Sequence, residues 1–331
     1  MAKLVGAFTM SHSLFCYLPA DRWGSFFNRK PPPRADVQRD SQEENRSKAD
    51  RIKQGLAELR RKVLEVRPDV LIVFGDDQLE CFDFNNFPAF AIYIGPQFSG
   101  YSLHNFISRS TQSGEITGPQ QQVRGHPELA LGLLTGLMER GFDPAYCMDM
   151  PKPNNGVGHA FMRPAESLGA FSLPVVPLFF NCFFAPQPKA MRCYQLGRAV
   201  REAIEEYPQD LRVAIVGSGG LWHTPATRES YLDTGFDRQM LERLQAGNAR
   251  GMAEYFDGYR VPDGDSSQDT SEQGSFSSGL PGPGGPQKGT REICTWIAAA
   301  SVFEGRPWTV VDYVPVYAAP IGVGLAYCTD V

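Results

Sequence analysis

Four short apolar runs in this 331-residue chain each end in side chains able to do chemistry. KLVGAF (3–8) leads into Thr9, Met10, Ser11 and His12, and VLIVF (70–74) into Gly75, Asp76, Asp77, Gln78, Leu79 and Glu80. VVPLFF (175–180) leads into Asn181, and RVAIVG (212–217) into Ser218, Gly219, Gly220, Leu221, Trp222 and His223. Acids and amides at the mouth of a buried strand are costly to desolvate without partners. Imidazoles that titrate near neutrality serve as metal ligands or as proton carriers. One histidine after a strand is more often a satisfied structural group, but four polar strand ends together indicate a site, because ligands of open parallel sheets bind beyond the carboxyl ends of the strands.

Three further residues are weighed beside them. His159, in NNGVGHAF, follows Gly156 and Gly158 on a loop expected to approach something closely, whereas His104 and His126 read as surface residues. Glu292 falls in the first turn of an expected helix, TREICTWIAAASVF (290–303), where the helix dipole alone would favour a carboxylate. Other chemistries fit less well. The GSGG run matches neither GxGxxG nor GxxxxGK[ST], and Ser218 has the wrong spacing for a GxSxG nucleophile elbow. It reads instead as a sharp turn that delivers His223. The seven cysteines form no CxxC pair, which disfavours a zinc knuckle or a disulfide framework and suits reduced thiols in a cytoplasmic protein.

The elements that must position these residues alternate between strands and helices. Besides the four runs above, FAIYIG (90–95) and WTVVDY (308–313) read as strands. Residues 45–66 place Ile52, Leu56, Leu59, Val63 and Leu64 on one helical face, with Asp50–Lys53 and Glu58–Lys62 as supporting ion pairs. Residues 127–140 and 190–206 are similarly amphipathic. The alternation predicts an α/β fold, a single domain over 1–331 with a central, mostly parallel sheet flanked by helices. Residues 28–44 are expected as a surface excursion and the Gly/Pro/Ser-rich 262–289 as a flexible loop. A formal net charge of −5 argues against nucleic-acid partners, and no apolar run reaches the roughly 20 residues a membrane span requires. The first residues read as a strand rather than a secretory signal.

The wording and order of several segments carry a resemblance. SHSL near the N-terminus, the apolar strand ending at Asp77-Gln78, HAFMRPAESL, LPVVPLFFN, VGSGGLWHTP and TREICTWIAA together resemble the class III extradiol ring-cleavage dioxygenases. That family includes the protocatechuate 4,5-dioxygenase beta chain and the dihydroxyphenylpropionate dioxygenases. The resemblance runs from about residue 4 to 326 and is weakest at 20–45 and 255–289. It implies Fe(II), with Mn(II) or Zn(II) as alternatives, in a facial triad that leaves positions open for a small aromatic substrate and O2. It implies His12 and Glu292 as metal ligands, His223 as acid/base, His159 beside the substrate or oxygen, and Asn181 at a substrate-binding position. A homo-oligomer is expected as well.

One position departs from the family pattern. Where the second histidine ligand would follow an aspartate, this chain has Gln78. An amide oxygen is a weaker, harder ligand than an imidazole, and Asp76, Asp77 and Glu80 offer other oxygens nearby. The leading expectation is a metal-dependent extradiol-type dioxygenase acting on a catechol, aminophenol or related hydroxylated aromatic. The same scaffold also allows a non-oxidative, metal-dependent C–C bond hydrolase or lyase, because loss of an imidazole hurts redox tuning more than Lewis acidity. A non-catalytic partner subunit is the third expectation. Phe15, Phe183, Phe184 and Tyr313 lie near site segments and could sandwich a ring, although each taken singly reads as core.

Overall fold

Val70, Ile72 and Phe74 pack to one side of their strand and Leu71 and Val73 to the other, and all five are fully buried. A strand apolar on both faces belongs inside a sheet covered on both sides. The computed structural model, which describes residues 1–28, 33–102, 119–169, 171–223, 230–261, 283, 285–286 and 288–330, bears this out. The strands are β1 (Lys3–Met10), β2 (Val70–Asp76), β3 (Phe90–Tyr93), β4 (Gln97–Gly100), β5 (Gln121–Arg124), β6 (Ala145–Cys147), β7 (Val175–Phe180), β8 (Arg212–Ser218), β9 (Thr309–Val316) and β10 (Ile321–Thr329). Eight of them form one sheet in the order β6-β3-β7-β2-β8-β1-β10-β9, and β4 pairs with β5 separately. The central strands β7, β2, β8 and β1 run parallel, while β3 against β7 and the β1-β10-β9 flank are antiparallel.

Seven α-helices among the described residues cover the sheet: α1 (Gln42–Val66), α2 (Pro127–Glu139), α3 (His159–Ser167), α4 (Ala190–Glu205), α5 (Thr234–Gln245), α6 (Ala249–Gly258) and α7 (Ile293–Val302). Leu59 and Val63 of α1 and Phe161 of α3 join Leu71 and Val73 on one face. Leu133 of α2, Leu196 of α4, Met252 of α6 and Trp296 of α7 join Ile72 and Phe74 on the other.

α1 shows how sequence sets these boundaries. Ser41 accepts from the Glu44 amide at 3.2 Å while Glu44 accepts from the Ser41 amide at 2.6 Å, a capping box that satisfies two otherwise orphaned donors. The helix therefore starts at Gln42, inside the stretch expected as a surface excursion. Leu64, expected on the buried face, is 61% exposed. Glu58 pairs with Arg61 at 2.7 Å rather than with Lys62, whose ammonium sits 3.1 Å from Glu65. The Asp50–Lys53 pair forms, at 3.8 Å. Most of the expected loop at 262–289, and His104, lie outside the described residues.

β10 carried no strand signal because Gly322 and Gly324 break its apolar pattern. The structure explains Gly324: a Cβ there would lie 2.7 Å from Leu221 and 2.8 Å from Trp296, so only glycine lets β10 pass beneath the turn after β8. The seven cysteines are all free thiols. Among the described residues, no helix is long and apolar enough to cross a membrane.

Candidate metal centre and catalytic pocket

The sheet register aligns the polar strand ends. Met10 lies opposite Ser218, Phe74 opposite Gly217, and Asp76 opposite Phe180, so the residues after β1, β8 and β2 emerge on one edge. Glu292 reaches the same edge from the other direction, as the last residue of a short 3-10 turn (Lys288–Glu292) that opens into α7. The glycine turn is shaped around it. Gly219 has φ +135°, and a Cβ there would sit 2.7 Å from the Glu292 Cβ. α7 satisfies the carbonyls of this turn, with the Thr295 hydroxyl donating to Ser218 and the Trp296 indole to Gly219, both at 3.0 Å.

His12, Asp76 and Glu292 meet at this edge, all three buried, with one ligand atom from each lying within 4.8 Å of the others. His12 Nε2 is 3.0 Å from Glu292 Oε2 and 3.7 Å from Asp76 Oδ1. Its Nδ1 is occupied by the Ser218 hydroxyl at 3.0 Å, which fixes the ring with Nε2 toward the carboxylates. Asp76 Oδ1 has no hydrogen-bond partner, although buried acceptors are almost always satisfied, and Glu292 Oε2 faces the His12 ring. Burial and the neighbouring Glu292 push the Asp76 carboxyl up to about 8, against the pull of His12. Burial acts upward on Glu292 as well, but His223 and His12 more than offset it and hold this carboxyl well below the usual range. Two buried carboxylate oxygens facing one imidazole nitrogen are a donor set suited to a divalent cation.

Gln78 lies against this cluster with its amide nitrogen inward, donating to Asp76 Oδ2 at 3.1 Å and to Glu292 Oε1 at 3.2 Å. The orientation follows from charge, since the amide oxygen would face two acceptors and repel them. Gln78 thus engages the outer oxygens of both acids and leaves their inner oxygens directed at His12. Asp76, absent from the ligands expected by resemblance, is one of the three acids expected as alternative oxygen donors beside Gln78, and it is the one that meets His12 and Glu292. Of its acidic neighbours, Asp77 accepts from the Cys81 and Phe82 amides at 2.8 and 3.1 Å, and Glu80 accepts from the Gln78 amide at 3.1 Å.

The remaining histidines have separate anchors. Glu80 pairs with His159 Nδ1 in a very short contact, and burial notwithstanding, His159 holds the Glu80 carboxyl down at about 2. The His159 ring meets that of His12 edge-on at 4.6 Å between centroids. His223 directs Nδ1 to the Leu221 carbonyl at 3.0 Å and Nε2 to Glu292 Oε1 at 3.2 Å. Burial alone would lower its proton affinity; Glu292 reverses that and raises it above the ordinary imidazole value. The His223 backbone is clasped by Thr290, whose hydroxyl accepts from its amide at 3.0 Å and donates to its carbonyl at 2.9 Å. Asp237 accepts from the Trp222 amide and from the Tyr313 hydroxyl, both at 2.7 Å, tying the segment before His223 to β9.

His12, Gln78, His159, His223 and Glu292 all line one cavity of about 260 Å³. Asn181 does not: its amide donates to the Phe184 carbonyl at 2.6 Å and its oxygen accepts from the Phe184 amide at 3.0 Å, so the side chain closes its own turn. Phe15 lines the cavity, whereas Phe184 packs with Phe84 and Phe87, Phe183 packs on Phe184, and Tyr313 serves Asp237. His126 caps α2 by accepting from the Leu129 amide at 3.3 Å. Arg163 was missed: it lines the cavity, and its position one helical turn after His159 was the available signal.

The chain is similar to known proteins over part of its length. A family model described as the catalytic LigB subunit of aromatic ring-opening dioxygenase matches residues 32–266, which include Asp76, Gln78, His159 and His223 but neither His12 nor Glu292. The chain is 36% identical over 127 residues to a gallate dioxygenase of Pseudomonas putida, covering 37% of this chain and 36% of that one. It is 30% identical over 182 residues to a 2,3-dihydroxyphenylpropionate/2,3-dihydroxicinnamic acid 1,2-dioxygenase of Klebsiella pneumoniae, covering 54% and 51% respectively. An enzyme of the same name from Escherichia coli is 30% identical over 186 residues, covering 54% and 51%. The matches span about half the length of these relatives or less.

Proposed function

Because the chain belongs to the family of catalytic LigB subunits of aromatic ring-opening dioxygenases, we propose that it opens the ring of a catechol, aminophenol or related hydroxylated aromatic with O2. The observation that carries this reading is the buried meeting of His12 Nε2 with the inner oxygens of Asp76 and Glu292, at the wall of a cavity of ring size that His12, Glu292 and His223 line. These three residues would hold one divalent ion. A donor set of one imidazole and two carboxylates suits Fe(II) first and Mn(II) next, and Zn(II), which prefers nitrogen and sulfur, least. When bound, such an ion chelates adjacent ring oxygens and mediates electron flow between the ring and O2.

The protein's own groups do the rest. The Leu221 carbonyl fixes the proton on His223 Nδ1, so Nε2 is the atom that exchanges a proton with a ring hydroxyl. His159, held by Glu80, presents its ring beside His12, where it hydrogen-bonds substrate or oxygen. Gln78 orients the two ligating acids from behind, as partners outside a metal's ligand set commonly do. Asn181 supports the site by pinning the turn after β7. Seven unpaired thiols support a reducing, cytoplasmic setting.

Elemental analysis of anaerobically purified protein tests the reading. Wild type should carry about one divalent metal per chain, and His12→Ala, Asp76→Asn and Glu292→Ala should each lose it. Loaded wild type should consume O2 with a catechol and yield a ring-opened product. Equal metal content in all four proteins would refute the site. Metal without O2 consumption, but with cleavage of a ring-opened diketone, would instead favour the hydrolase or lyase expected from the change at Gln78.

A further inference from the structure

The backbone of His223 is gripped from two sides. On one side it forms an isolated antiparallel bridge with Ile321 of β10. On the other stands a side chain rather than a strand: the Thr290 hydroxyl accepts from the His223 amide at 3.0 Å and donates to the His223 carbonyl at 2.9 Å. A hydroxyl carries one donor and two acceptor sites, so a single group serves both backbone atoms. Thr290 is fully buried and comes two residues before Glu292 in the turn Lys288–Glu292. It therefore sets His223 at a fixed offset from the proposed metal ligand.

Gly289, the residue before it, confines the ring. A Cβ at Gly289 would lie 2.2 Å from both Cδ2 and Nε2 of His223 and 2.9 Å from Cε1. The bare backbone of the turn thus lies directly against the imidazole and closes the space on that side. The Leu221 carbonyl meets Nδ1 at 3.0 Å, and Glu292 Oε1 lies 3.2 Å from Nε2. With the ring so confined, the clasp on its backbone decides where Nε2 sits in the cavity. Such placement matters to chemistry, because a displacement of about 1 Å can cost 10²-fold in rate.

Resting on the ring-opening reading above, we propose that Thr290 is a positioning residue for proton transfer, its hydroxyl setting His223 Nε2 within reach of a ring hydroxyl of the substrate. The proton passes from the ring oxygen to Nε2, leaving an oxyanion and an imidazolium, and Thr290 itself exchanges none. Thr290 acts only through His223.

The test uses 4-nitrocatechol, whose visible absorption changes as each hydroxyl ionises, bound to Fe(II)-loaded protein without O2. Wild type should hold more of the doubly ionised probe than His223→Gln does. Thr290→Val keeps the shape and removes the hydroxyl. It should retain its metal and bind the probe within about threefold of wild type, yet lower the ratio of doubly to singly ionised probe by roughly tenfold or more. Thr290→Ser, which keeps the hydroxyl, should restore the wild-type spectrum. Thr290→Cys, with a weaker hydrogen-bonding thiol, should fall between the two and decides the matter if the valine variant misfolds. In a His223→Gln background, Thr290→Val should change the spectrum no further, because coupled residues are not additive. A wild-type spectrum in Thr290→Val, or an equal effect of valine in both backgrounds, would overturn this inference and leave the ring-opening reading intact. So would loss of metal from Thr290→Val, which would make the clasp a support of Glu292. Wild type that matches His223→Gln would remove the acid/base role and this inference with it. Failure of wild type to bind the probe would remove the ring-opening reading as well.

Discussion

Gln78 is the residue that most alters the chemistry expected of this site. It donates to the outer oxygens of both Asp76 and Glu292, which offsets part of the repulsion between these two acids. Gln78→Leu should fold normally but bind metal about 10–100-fold more weakly, a typical loss when a supporting hydrogen bond behind a ligand is removed. Gln78→His should raise iron affinity by adding an imidazole. Titration of the apoproteins with Fe(II) under anaerobic conditions checks both, and unchanged affinity in both variants would show that Gln78 does not act on the metal. His223 carries the complementary expectation. Its Nε2 moves protons without being needed to hold the ion, so His223→Gln should keep its metal while turnover falls by about 10²–10⁴-fold. Loss of metal in that variant would make His223 a ligand. At this scale the sequence was informative for His12 and His223, which the structure brings to one cavity. It was less so for Asp76 and Asn181, because a polar type at a strand end does not say whether its partners are local amides or distant residues. Asn181 found its partners three residues away, and Asp76 found both its neighbour Gln78 and the distant His12.

Elements decide where those side chains point. The turn after β8 is held from outside by Asp237, in the first turn of α5, which grips the Trp222 amide and the Tyr313 hydroxyl. Burial raises the Asp237 carboxyl from 3.8 to about 7. The folded state therefore binds this proton more tightly than the unfolded chain does. The stability that this provides is fully present below the unfolded value, declines as pH rises, and is lost through about 7. Asp237→Asn removes the titration, so the melting temperature of wild type relative to the variant should drop between pH 5 and pH 8. A constant difference would contradict the assignment. From inside, Gly219 leaves no room for a side chain beside Glu292. Gly219→Ala combines a backbone strain of order 1–3 kcal/mol with displacement of a ligand, and should lower both thermal stability and metal content. Most elements were legible as apolar runs or helical stripes, and VVPLFF matches β7 to the residue. The short β4, β5 and β6, the glycine-bearing β10, and the helices α3, α5 and α6 were not. In β10, close approach to Trp296 at Gly324 and to Asp237 at Gly322 favours the very glycines that hide a strand.

For the molecule as a whole, the centre ties together parts that the chain keeps far apart, with His12 after β1, Asp76 at the end of β2 and Glu292 before α7. A ligand that binds only the folded state at 100 times its Kd adds about 2.7 kcal/mol of stability. Stripping the metal with a chelator should therefore lower the melting temperature by several degrees in wild type, and not in Glu292→Ala. An equal response of the two proteins would mean that the stabilising ion sits elsewhere. The α/β class and the parallel centre of the sheet followed from periodicity, whereas the antiparallel β1-β10-β9 flank did not, because pairing direction is a property of contacts between distant segments. The same remoteness has a consequence for biosynthesis. Glu292 emerges from the ribosome 280 residues after His12, roughly 15–60 s later at about 5–20 residues per second. Throughout that interval the nascent chain lacks one of the three proposed donors, so capture of an abundant competing ion is disfavoured until Glu292 has emerged.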